Sequence, residues 1–170
     1  MSAPHAQEYN PYYQRYIGLV PQGDIIQVLE SQWPETRSLL SSIPETRGTY
    51  RYEPGKWSIK EMVGHMIDTE RIFAYRALCI ARGDKTPLPG FEQDDYVRGA
   101  NFDAASLKVQ VEEFSFVRHA NVMMFKGLQP EVWTRTGTAS GNPVTVRALA
   151  WIIAGHELHH RAVLKEKYLK

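Results

Sequence analysis

The chain has 170 residues, 43% hydrophobic and 23% charged, the make-up of one ordinary globular domain with enough apolar material for a core. Twenty basic residues against 19 acidic leave a net charge of +1, which argues against a nucleic-acid or anionic-membrane partner. Cys79 is the one cysteine, so no intrachain disulfide forms, and the longest apolar run, Ala148 to Ala154, is seven residues against the roughly 20 that a membrane span needs.

The amino-terminal MSAPHAQEYNPYYQRY has neither the basic nor the apolar region of a signal peptide. With the single cysteine, this predicts a cytoplasmic protein. Residues 1–9 are small and polar and read as a flexible tail, which leaves 10–170 as a single domain. Asn10-Pro11 reads as a cap followed by proline in the first turn, opening a short helix over Tyr12 to Ile17. A long helix follows Gly23, capped by Asp24, with Ile25, Val28, Leu29, Leu39, Leu40 and Ile43 on its apolar stripe. Pro34 should kink or split this helix, and Pro44 should end it.

Ser58-Ile-Lys-Glu61 is a capping box, after which Met62, Val63, Met66, Ile67, Phe73, Ala77 and Ile80 repeat at helical spacing up to Gly83. Thr86-Pro-Leu-Pro-Gly-Phe91 breaks regular structure, so 84–102 reads as a long ordered loop, a place where function often sits. The next long helix is expected from Ala104 to Lys126, capped by Asp103 and stopped by Gly127. Residues 128–144 read as a helical turn and an irregular hairpin-like connection, and Thr145 caps a last helix running to Leu169. The whole predicts an all-α fold: a four-helix bundle with long crossover loops and a short N-terminal helix.

The histidines carry the chemistry. There are six: His5, His65, His119, His156, His159 and His160. On the last helix His156 and His160 lie about 40° apart and ~6 Å along the axis, which suits two imidazoles on one metal ion. His156 and His159, about 60° apart, are a less aligned pair. His65 lies within the capped helix among core residues, and Gly64 and Gly155 each precede a histidine. A glycine there suggests close helix approach or room for a ligand. One inward histidine plus a pair on another helix makes a three-ligand site. His5 and His119 read as ordinary surface or hydrogen-bonded residues.

His156-Glu-Leu-His-His160 matches the H-E-x-x-H pattern of zinc peptidases, with Glu157 as base. The rest of that pattern is missing: the ten residues after His160 hold no histidine. The third ligand must come from upstream, which points to His65 and away from a peptidase.

Three stretches, Trp57-Ser-Ile-Lys-Glu-Met-Val-Gly-His-Met-Ile-Asp-Thr-Glu-Arg71, Phe91-Glu-Gln-Asp-Asp-Tyr96 and Val146-Arg-Ala-Leu-Ala-Trp-Ile-Ile-Ala-Gly-His-Glu-Leu-His-His-Arg161, resemble the DinB-like superfamily, the DinB/YfiT group of metal-binding four-helix bundles. The resemblance spans roughly residues 25 to 169. It implies a facial three-histidine site with His65, His156 and His160 as ligands and His159 as a neighbour. It also implies a homodimer and a mixed set of activities: thiol S-transferases or thiol-dependent isomerases using low-molecular-weight thiols, and metal-dependent hydrolases.

Around this site, Asp68 shares a helix face with His65 and could hold an imidazole N–H, or be an exposed acid. Arg76 lies about 20° off the His65 line and could bind a substrate carboxylate or form a surface salt bridge. Trp57, Phe91 and Tyr96 are candidates for a pocket mouth, with core packing favoured for Trp57. Glu157 is a candidate base or a solvated residue. Cys79, ~21 Å along the helix from His65, reads as a core residue. Three neutral imidazoles suit a divalent ion, zinc or nickel foremost, manganese or iron next. Such an ion lowers the pKa of bound water to about 7 or holds a thiol as thiolate. The favoured function is therefore a metal-dependent enzyme on a small molecule, thiol S-transferase-like or hydrolase-like. The alternative is a non-catalytic metal- or ligand-binding bundle.

Overall fold

The computed structural model describes residues 1–170. α1 (Gln14–Ile17) extends a 3₁₀ turn, Pro11–Tyr13, that Asn10 caps by accepting the Tyr12 N–H at 2.9 Å. α2 (Ile25–Ser41) starts at Asp24, whose carboxylate accepts the Ile26 and Gln27 N–H groups at 3.0 and 3.3 Å. Pro34, expected to kink or split this helix, lies inside it without dividing it. Proline is exposed there, and the carbonyl that loses its helical partner is that of exposed Glu30, where water can replace the bond.

α3 (Ile59–Ala81) has the reciprocal capping box: Ser58 Oγ accepts the Glu61 N–H at 3.0 Å, and Glu61 accepts the Ser58 N–H at 2.7 Å. The segment 84–102, read as a loop, contains a further helix, α4 (Gln93–Ala100). It buries only Val97, so it carries no apolar stripe for a periodicity argument to find. α5 (Leu107–Lys126) starts later than expected because Ser106, not Asp103, caps it, accepting the Val109 N–H at 3.2 Å. Asp103 instead accepts from Ser58 Oγ at 2.6 Å and from Arg51 at 3.0 Å.

The connection after α5 is a 3₁₀ turn, Pro130–Val132, then an antiparallel hairpin of β1 (Thr136–Ala139) and β2 (Asn142–Thr145), with Thr136 opposite Thr145. Its turn residues Ser140 and Gly141 both have positive φ, 51° and 73°, the backbone that suits a two-residue hairpin loop. Thr145 caps α6 (Val146–Val163) by accepting the Ala148 N–H at 3.1 Å. The helix continues through one π-helical turn, Leu164–Tyr168.

α2, α3, α5 and α6 form the four-helix bundle. α3 packs on α5 and α6, and α2 also packs on α5 and α6, so α2 faces α3 across the bundle. Helices consecutive in sequence are therefore not spatial neighbours throughout, and the long links act as crossovers. The hairpin packs on the same end as α1, which lies against α6.

Two apolar cores fill the bundle. One gathers Leu29, Phe73, Phe125 and Trp151; the other gathers Trp33, Met66, Phe114 and Tyr168. Between them runs a buried polar layer of Thr36, Glu70, Arg118, Glu157 and the histidines His65, His156 and His160. Residues 1–9, read as a flexible tail, are docked. Tyr9 is buried, and Glu8 accepts from Thr145 at 2.8 Å and from Arg147 Nε at 3.1 Å. Arg147 lies 139 positions away, beyond any local reading. No helix is long and apolar enough to cross a membrane.

Candidate functional site

α3 and α6 pack together and bring three histidines to one point. His65 on α3 and His156 and His160 on α6 are 3%, 7% and 8% exposed. His156 Nε2 lies 3.1 Å from His65 Nε2 and 3.1 Å from His160 Nε2. One ring nitrogen from each of the three falls within 4.8 Å of the others. The two flanking glycines mark close approach rather than space. A Cβ on Gly155 would sit 2.1 Å from the Tyr16 carbonyl oxygen, and one on Gly64 would sit 2.3 Å from the Phe102 ring. α1 can therefore lie on α6 beside the histidines, and the Tyr16 ring packs edge-on against His156 at 5.3 Å. The Trp57 ring covers His65 at 4.6 Å.

Burial pushes the His65 imidazole down to about 4, with His159 nearby adding to the effect. Burial likewise holds His156 and His160 well below the ordinary histidine value, with the other imidazoles opposing a further positive charge. All three rings are thus neutral at pH 7, each with one nitrogen lone pair. Two neutral rings meeting Nε2 to Nε2 can share at most one proton, and His156 meets two such neighbours. The arrangement lacks the carboxylate that would normally satisfy a buried histidine cluster. This neutral, nitrogen-only donor set fits a divalent ion. Thr69 Oγ1 lies 3.4 Å from His65 Nδ1, while His160 Nδ1 has no partner.

A cleft of about 280 Å³ reaches His65 and His156 and is lined by Tyr12, Tyr13, Thr69, Phe73, Phe91 and Ser140 among others. Phe91, a candidate for the pocket mouth, is among the residues that line the cleft. Tyr96 packs on it at 5.2 Å and lines an adjoining depression, and the Trp57 ring lies tilted against His65. His159 is half-buried and packs on Tyr16 at 5.3 Å. His119 and His5 are exposed, and His119 Nδ1 lies 2.6 Å from the Ser115 carbonyl of its own helix. Cys79 is half-buried against the core.

The two candidate acids lie elsewhere. Asp68 pairs with Arg71 at 3.6 Å and makes no hydrogen bond to a histidine. Burial raises its carboxyl above the ordinary value, with Arg71 opposing. Glu157 is 2% exposed and so is not a solvated residue. Thr36 donates to its Oε1 and Arg118 to its Oε2. Arg118 also makes a bidentate pair with Glu70, at 2.9 and 2.7 Å. Burial disfavours this guanidinium's charge, but Glu157 and Glu70 more than offset that and hold its pKa above the ordinary arginine value. The sequence reading missed this triad. A signal was present: Arg118 lies four residues from both Phe114 and Val122 on the apolar stripe of α5.

A family model of the DinB superfamily matches residues 29–164. The chain belongs to the DinB superfamily. No protein with a curated description matches it. Among solved structures it is similar to YfiT from Bacillus subtilis, described as a probable metal-dependent hydrolase with an unusual four-helix bundle topology. The identity is 15% and the TM-score 0.72, over 84% of this chain and 82% of that one. It is similar to a DinB-like protein, YjoA, from Bacillus subtilis, at 22% identity and TM-score 0.60, over 84% and 87% of the two chains. A mycothiol-dependent maleylpyruvate isomerase matches at 10% identity and TM-score 0.67 over 81% of this chain, which spans 58% of the isomerase. At these identities the structural likeness is one of fold.

Proposed function

We propose that His65, His156 and His160 hold a divalent metal ion, zinc or nickel foremost, and that the chain is a metal-dependent enzyme acting on a small molecule. The observation that carries this is the convergence of three buried, neutral imidazoles at 3.1 Å contacts beside an open cleft. When bound, the ion would supply Lewis-acid charge to a water or a low-molecular-weight thiol brought beside it. The rest falls to the chain itself.

Each ring presents Nε2 when its proton sits on Nδ1, and Thr69 Oγ1 is placed to accept that proton's hydrogen bond from His65. Trp57 and Tyr16 pack on the imidazoles, hold their orientation and exclude water from those sides. The remaining approach is the cleft, whose volume suits a small molecule. Cys79 is not among the residues that line it, so a thiol nucleophile has to come from outside. The activities described for YfiT and the isomerase, hydrolysis and thiol-dependent isomerisation, are the two reaction types this arrangement accommodates. The open cleft favours an enzyme over a closed, purely structural metal site. A homodimer belongs to the same reading, as does residence in the cytoplasm.

Cobalt-substituted protein tests the choice of nucleophile. Added N-acetylcysteine should produce a sulfur-to-cobalt charge-transfer band that His160→Ala abolishes. Consumption of a chromogenic aryl halide should then outpace that by thiol alone. Cobalt uptake without such a band would leave hydrolysis as the reaction, and failure to take up cobalt would refute the metal site.

A further inference from the structure

Four arginines are buried in this fold, and three of them meet a carboxylate. Arg118 pairs with Glu70 and Glu157, Arg147 with Glu8, and Arg161 with Glu35. Arg76, 3% exposed, forms no ion pair at all. Its Nη2 donates to the Pro89 carbonyl at 2.7 Å and to Ser140 Oγ at 3.1 Å, both neutral acceptors. The Tyr13 hydroxyl lies beside the guanidinium as a further neutral partner, and neither Nε nor Nη1 is sealed away from the surrounding space. A buried cation whose remaining donors open onto a cavity is an unmet demand for an anion. Arg76 lies in a position unlike the surface salt bridge that its sequence position also allowed.

The surroundings define what would meet it. Arg76 lines two depressions, of about 410 and 350 Å³, that contain no acidic residue. The first shares Tyr12, Tyr13 and Ser140 with the histidine cleft, and the second shares Phe91. The guanidinium carbon lies 5.5 Å from the Phe73 ring and 5.7 Å from that of Phe91. Phe73 in turn lies 6.4 Å from the His156 ring. The Phe73 ring thus neighbours both the cation and His156. The cleft's single acid, Glu92, is exposed and so can be hydrated away from a ligand.

We propose that Arg76 is a carboxylate-recognition residue in the depressions that adjoin this cleft, so that the ligand is a small carboxylate with a flat apolar body lying against Phe73 and Phe91 and its other end toward the histidines. A guanidinium's parallel N–H groups match the two oxygens of a carboxylate, which fixes the orientation as well as the sign of the ligand. The proposal deepens the enzyme reading by naming a substrate class, and it rests on that reading only for the chemistry at the far end. Binding at Arg76 itself needs no metal.

Benzoate and its neutral counterpart benzamide are the probes, followed by calorimetry on metal-loaded and metal-stripped protein. Benzoate should bind at about millimolar affinity, and benzamide about 10- to 100-fold more weakly, the loss of a charged hydrogen-bonded pair. Arg76→Met should abolish the preference while leaving metal content unchanged. Arg76→Lys, which keeps the charge and loses the fork, should retain part of it, and it serves if the methionine variant fails to fold. Equal affinity for the two probes, absence of benzoate binding at millimolar concentration, or full benzoate preference in both variants overturns the proposal. Preference that persists in metal-stripped protein but tracks Arg76 upholds it even if the metal site fails. Preference that vanishes with the metal and ignores Arg76 places the carboxylate at the histidines and overturns it.

Discussion

Arg118→Met removes the cation between Glu70 and Glu157 and leaves two carboxylates side by side in the buried layer. Arg118 is 1% exposed, Glu70 4% and Glu157 2%, so neither acid can turn to water without opening the bundle. Breaking a buried ion pair from one side costs about 3–5 kcal/mol, because the charge left behind is uncompensated. In a chain of this size each kcal/mol moves the melting temperature by about 2–4 °C, which predicts a fall of roughly 6–20 °C. Thermal unfolding followed by circular dichroism on metal-stripped protein measures it without a contribution from ion binding. The triple variant with Glu70→Gln and Glu157→Gln carries no stranded charge, and its amides can still bond to Thr36 and Asn121, the present neighbours of the two acids. It should recover at least half of the loss. A fall under about 1 kcal/mol in Arg118→Met, or a triple variant no more stable than the single one, would refute the reasoning. Glu157 adjoins His156, so metal affinity should fall with the single variant as α6 loses its anchor.

Purified protein should carry about one divalent ion per chain by the three-ligand reading; His65→Ala, His156→Ala and His160→Ala should each lose most of it by elemental analysis, whereas His159→Ala and His119→Ala should keep it. Loss in His159→Ala with retention in His160→Ala would show the ligand register to be wrong. The folded-state pKa of His65, about 4, lies below its ordinary 6.5. The unfolded chain therefore takes up the proton first, and metal-stripped protein should lose stability as pH falls from 6.5 toward 4. Urea midpoints that stay level across that window would contradict this. Gly155→Ala should destabilise by about 1–3 kcal/mol despite alanine's better helix propensity, since its Cβ would meet the Tyr16 backbone, and the Tyr16 ring's contact with His156 should loosen; an unchanged melting temperature would count against it. Light scattering at micromolar concentration should give a dimer rather than the 19.5 kDa chain mass.

Much of the architecture is local and was legible from the residues alone. Asp24, Ser58 and Thr145 cap the helices they were expected to cap, because a cap is a hydrogen bond between side chain and backbone two or three positions away. The apolar stripes of α2, α3, α5 and α6 announced a bundle, and helical spacing put His156 and His160 one turn apart. The cap of α5 was misread as Asp103, since a residue's choice between a nearby N–H and a distant Ser58 hydroxyl depends on a contact 45 positions away. α4 went unread because a helix that buries one side chain leaves no periodic trace.

What only the tertiary structure decided is which faces meet. His65 reaches His156 because α3 abuts α6, a pairing between helices far apart in the chain. Glu157, a candidate base by sequence, is instead drawn into the bundle by Arg118 from α5 and Thr36 from α2. Arg76 is buried without a carboxylate because the hairpin and the segment before α4 close over it and offer only Ser140 and a carbonyl. Periodicity tells which side of a helix leaves water. It carries no information about what waits there, since the partner of a buried charge comes from wherever the chain returns.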